Sequence, residues 1–84
     1  MLSSTTNNLL LQLHEVLEQI DSSIFQSYAK YRFKNLCILS NKFAFTKEQR
    51  ILYCDLVNRY KQKFVYDEWN FDPETQTDSL LAHS

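Results

Sequence analysis

The chain has 84 residues, 44% hydrophobic and 14% aromatic, enough for one domain with a modest core. It contains no glycine and a single proline, Pro73. Primed hairpin turns, phosphate-cradling loops and dinucleotide-binding turns all lean on Gly, so this composition argues for an all-α fold and against nucleotide chemistry. The formal net charge of −1 conceals a sharp division. Residues 1–21 carry Glu15, Glu18 and Asp21 and no base. All nine Lys and Arg fall within residues 22–64, against only Glu48 and Asp55, and residues 65–84 carry five acids and no base. A split of this kind bears on partners and internal docking rather than on fold.

The spacing predicts a first helix over residues 5–20, with Ser3, Ser4 or Thr5 as its N-cap. At roughly 100° per residue, Leu9, Leu10, Leu13, Val16, Leu17 and Ile20 share one stripe. Leu11 falls on the polar side with Asn8, Glu15 and Glu18. The first 22 residues lack Lys and Arg, and their apolar run is only Leu9, Leu10 and Leu11, so neither a signal peptide nor a membrane span is expected. Asp21-Ser22-Ser23 is predicted as a break and a new N-cap, in preference to one long kinked helix.

A second helix is predicted over residues 22–40. Ile24, Phe25, Tyr28, Ala29, Tyr31, Phe33, Leu36, Cys37, Ile38 and Leu39 wrap most of its circumference, which predicts a central helix covered on more than one side. Arg32 lies inside that apolar arc, where a buried guanidinium needs a carboxylate; a pair with Glu15 or Glu18, or a snorkelling stem, is expected in preference to a partner-facing anchor. Asn41 is the residue best suited to a left-handed C-terminal cap in the absence of Gly. Thr46 followed by Gln49 is a capping-box pattern opening a third helix over residues 47–65. Its stripe is Leu52, Tyr53, Leu56, Val57, Tyr60 and Phe64, with Asp55 and Arg59 as an i,i+4 pair and with Ile51 and Cys54 off the stripe. From Tyr66 the character turns aromatic and acidic, and after Pro73 it turns polar. The expected architecture is therefore a small three-helix bundle over residues 1–72, with an acidic, aromatic C-terminal extension and a flexible tail over 73–84.

Catalytic and metal-binding devices are not legible. His14 and His83 have no Cys or His at ligand spacing, and Cys37 and Cys54 form no Cys-x-x-Cys pair. No cofactor and no metal are expected, and a reducing cytoplasmic setting suits two thiols that sit within helices. The chain is expected to be a small non-enzymatic regulatory or adaptor protein with a protein partner. Tyr66, Trp69 and Phe71 are the expected anchors, with Arg50, Arg59 and Lys63 as charged contacts. The alternatives are a nucleic-acid partner bound through the basic segment 22–64, or an oligomer such as a homodimer. The stretch Asn41-Lys42-Phe43-Ala44-Phe45-Thr46 with the helix that follows resembles a turn in the Hha family of small bacterial gene-silencing modulators. The resemblance is confined to that stretch and assigns neither fold nor function.

Overall fold

The computed structural model describes residues 2–22 and 26–76. The chain is a small all-α three-helix bundle of α1 (Leu2–Ser22), α2 (Gln26–Ser40) and α3 (Lys47–Lys63). The α1 stripe is buried as its spacing predicts: Leu9, Leu10, Leu13, Val16, Leu17 and Ile20 all lie in the core, while Leu11 is exposed. The helix starts a turn earlier than predicted, so Ser3, Ser4 and Thr5 are helical rather than capping. Nothing in those residues opposes helix formation, and end positions are the least constrained part of any helix. Two separate helices form as expected, but α1 runs on through Ser22, which is helical rather than a new N-cap, and Ser23 lies outside the described residues. α2 begins at Gln26 and packs along α1, and a link this short makes the two helices antiparallel. Ile24 and Phe25, assigned to helix 2 above, lie outside the described residues.

Among the described residues, α1 approaches both other helices closely, whereas the backbones of α2 and α3 stay apart. The centre of the bundle is thus α1, not α2 as the all-round apolar pattern suggested. The side chains explain this. The inward side of α2 carries Ala29, Cys37 and Ser40 around a single large residue, Phe33, and small residues allow close helix approach. Its bulkier Tyr28, Tyr31 and Leu39 point away into solvent. Parallel alignment of α1 and α3 follows from two ties. Gln49 Nε2 donates to Asn7 Oδ1 at 2.9 Å near the start of both helices, and Lys63 bonds Asp21 near their ends. Both ties have a sequence separation of 42, so the helices run in step.

The gap between α2 and α3 is filled by rings. Phe33 of α2 stacks on Tyr60 of α3 with centroids 4.6 Å apart, and the Tyr53 hydroxyl donates to the Cys37 carbonyl at 3.3 Å. Trp69 and Phe71, stacked on each other at 5.1 Å, close the gap from the C-terminal segment. Trp69 meets Phe33 and Tyr60 edge-on, and Phe71 meets Tyr53 the same way. Such pairs contribute about 0.5–1.5 kcal/mol each beyond area burial. Phe45 and Phe64 pack against the same cluster.

The segment after α3 is therefore a fourth wall of the core. The Asp67 carboxylate accepts from the Tyr60 hydroxyl at 2.7 Å and from Lys34 Nζ at 3.0 Å. Lys61 Nζ donates to the Phe71 carbonyl, and one Arg50 nitrogen donates to the carbonyls of Pro73 and Glu74 at 3.1 and 3.2 Å. Pro73 is buried, and Gln76 Nε2 donates to the Ser40 carbonyl at 3.3 Å. Residues 73–76 thus belong to the body rather than to a tail, and residues 77–84 lie outside the described residues. Gln76 holds a φ of 55°, a left-handed conformation that costs a non-Gly residue energy, and its side-chain bond to Ser40 ties it to the end of α2.

Local expectations fare unevenly. The Thr46–Gln49 capping box forms in both directions, at 3.1 and 2.9 Å. Asn41 does not take the left-handed cap. The carbonyls of Ile38, Leu39 and Ser40 accept from the amides of Asn41, Lys42 and Phe43, a tightened turn that needs no positive φ. The α3 stripe loses Leu52, which is 56% exposed, and gains Gln49, whose side chain is turned in towards Asn7.

Candidate functional site

The six residues predicted to make contacts do not form one surface. Trp69 and Phe71 are core residues, with Phe71 fully buried, so as anchors they are corrected to structural rings filling the α2–α3 gap. Tyr66, by contrast, is 98% exposed. Arg50 is half-buried, lies 5.9 Å from the Phe45 ring and is committed to the Pro73 and Glu74 carbonyls. Arg59 pairs with Asp55 at 3.0 Å on the surface of α3. Lys63 and Tyr66 do share a hollow, lined also by Lys30, Phe64, Asp67 and Glu68. Arg59 and Lys63 meet His14, Glu18 and Asp21 along the α1–α3 edge.

Internal docking engages most of the middle segment's bases, although among the described acids outside that segment only Asp21 and Asp67 pair with them. Lys30 lies over the Phe64 ring at 4.4 Å, and Lys34, Arg50, Lys61 and Lys63 each bond a group outside α2 and α3. The Asp67 carboxyl shows what this does electrostatically. Its burial pushes its pKa up, but the Tyr60 hydrogen bond, the Lys34 bond and charge, and the Lys30 charge outweigh that, so its pKa falls below the ordinary value. Conversely, burial first and the Asp67 bond second push the Tyr60 phenol far above its usual range. Arg32, Lys42 and Lys47 are the bases that make no ion pair, hydrogen bond or ring contact with another described residue. Arg32 is half-buried and both Glu15 and Glu18 are exposed, with Glu18 facing His14 at 3.6 Å. The expected Arg32–carboxylate pair is absent among the described residues.

Of these three, Arg32 lies on the outer side of α2 and Lys42 in the turn that follows it. Tyr28, Tyr31, Asn35, Ile38 and Lys42 recur at alternating spacings of three and four, with Arg32 and Leu39 alongside. Tyr28 is 67% exposed, Tyr31 58% and Leu39 40%. Asn35 and Lys42 are exposed, and Ile38 and Arg32 are half-buried. The helix contains no Asp or Glu, so this face is aromatic, aliphatic and cationic only. The tightened turn after Ser40 carries Lys42 on directly from the helix end. Singly exposed apolar side chains are ordinary, but a continuous seam of them on a helix face that no other described element covers is the pattern of a helix-docking surface. The sequence signal was present in the three–four spacing and the missing acids. It was masked by the apolar residues on the opposite side of the same helix.

The thiols and histidine stand apart from this face. Cys37 is buried in the core, and Cys54 is half-buried beside Arg50, Asn58 and Glu74. Burial, aided by the charges of Glu74 and Asp72 and opposed by Arg50, pushes the Cys54 thiol up, which disfavours the thiolate. His14 is engaged on α1 with Glu18. No helix among the described residues is long and apolar enough to cross a membrane. Comparison of the chain with protein-family models, curated proteins and solved structures returned no match.

Proposed function

We propose that this chain is a small non-enzymatic regulatory or adaptor protein that acts by binding another protein, and that the outer face of α2 receives a helix of that partner. The observation that carries this is the seam of Tyr28, Tyr31, Ile38 and Leu39, exposed or half-buried, on a helix whose other side is already packed on α1. Tyrosines offer large, amphipathic contact area at low entropic cost, as hot-spot residues do. A nucleic-acid partner finds less support, because Lys34, Arg50, Lys61 and Lys63 already tie the chain's own segments together. Two cysteines outside any disulfide, one buried and one with a raised pKa, fit a reducing cytoplasmic setting.

The test compares the wild-type chain with a triple variant, Tyr28→Ser, Tyr31→Ser and Leu39→Ser, as immobilised bait. A protein retained by the first and lost by the second is then purified and its binding measured directly. Equal retention by both baits, with the variant's helicity intact, sinks the assignment of this face.

A further inference from the structure

Resting on that assignment, we infer that the partner element is an acidic amphipathic helix, with carboxylates that meet Arg32 and Lys42. Charge complementarity is the reason. The α2 face holds no carboxylate of its own, and Arg32 and Lys42 are left without a bond among the described residues in a chain where most other bases are engaged. Covering Tyr28 and Leu39 with a helix strips water from the half-buried Arg32 beside them, and a guanidinium so desolvated demands an anionic acceptor.

Arg32 lies within α2 and Lys42 in the turn just past its last residue, Ser40, so one cation sits near the middle of the face and the other at its C-terminal end. The partner therefore presents carboxylates near both cations, beside an apolar ridge that rests on Tyr28, Tyr31, Ile38 and Leu39. Asn35 sits in the middle of the seam and favours a polar residue opposite it, which fixes one alignment over its neighbours. A second copy of this chain is a poorer occupant, because paired α2 faces bring two sets of cations together with no carboxylate on either helix.

The probe is a set of three fluorescein-labelled helical peptides with one leucine ridge and one central Asn. Their flanking positions carry Glu, Gln or Lys. Fluorescence anisotropy with the full chain is expected to rank Glu above Gln above Lys, with roughly tenfold in affinity at each step and a smaller spread at high salt. The double variant Arg32→Glu, Lys42→Glu is expected to invert the order, so that the Lys peptide binds most tightly. If the Gln peptide binds wild type as tightly as the Glu peptide, and both lose affinity on Tyr31→Ser, the docking face survives but the acidic partner does not. If no peptide binds, or if Tyr28→Ser, Tyr31→Ser and Leu39→Ser leave binding untouched, the docking face itself fails. Sedimentation equilibrium is run alongside. A dimer that the Glu peptide does not dissociate makes the second copy the occupant and overturns the inference.

Discussion

Replacement of Phe71 by Ala probes the least expected feature of the fold, the C-terminal segment as core. Phe71 is fully buried, stacked on Trp69 at 5.1 Å and edge-on to Tyr53 at 6.2 Å. Truncating a buried Phe costs about 3–5 kcal/mol, cavity and ring contacts included. A chain of this length has a total stability of only about 4–12 kcal/mol. The variant therefore loses about a quarter of its stability at the least and all of it at the most. At about 4–8 °C per kcal/mol for a domain this small, the melting temperature drops by roughly 12–40 °C. Circular dichroism measures the melt, and Trp69, the single Trp of the chain, supplies a local signal because its emission shifts to the red once its stacking partner is gone. Tyr66→Ala is the control, and at a fully exposed site it is expected to stay within about 0.5 kcal/mol of wild type. Should Phe71→Ala melt within a few degrees of the Tyr66 control, with unchanged Trp69 emission, residues 64–76 are not a wall of the core.

Three further outcomes are expected. Gln49→Ala removes both the acceptor for the Thr46 amide and the donor to Asn7, and is expected to cost about 1–2 kcal/mol in urea denaturation; Gln49→Glu keeps the acceptor alone and is expected to cost less. Asp67 has a folded-state pKa below its unfolded value, so its contribution is fully present above the unfolded pKa, near 3.9, and is lost as pH falls through that value to the lower folded one. Melting temperatures measured from pH 7 to pH 2 should hold to about pH 5 and then fall, and Asp67→Asn should flatten part of that fall; identical pH profiles for the two proteins would refute the Tyr60–Asp67–Lys34 bonding. Finally, Tyr28→Ser and Tyr31→Ser, at exposed positions of α2, should each change stability by no more than about 0.5 kcal/mol in the isolated protein.

What local sequence determines here is what spacing alone can express. The α1 stripe is buried residue for residue because its apolar positions occupy one side of a 3.6-residue period and nothing competes with them. The capping box is legible because Thr46 and Gln49 satisfy each other's neighbouring amides within a single turn. Three choices belonged to the tertiary structure. α2 is apolar on nearly every side, so periodicity could not say which side packs; the small residues Ala29, Cys37 and Ser40 settled it by letting α1 come close, leaving Tyr28 and Tyr31 outside. Trp69 and Phe71 had the composition of surface anchors, and became core because the α2 and α3 backbones stand apart and leave a space only large rings fill. The basic middle segment looked like one charged surface when counted along the chain. In three dimensions most of its cations reach back to the chain's own carboxylates, carbonyls and rings, because an acidic segment tethered by a short link meets them at a far higher effective concentration than any free partner does.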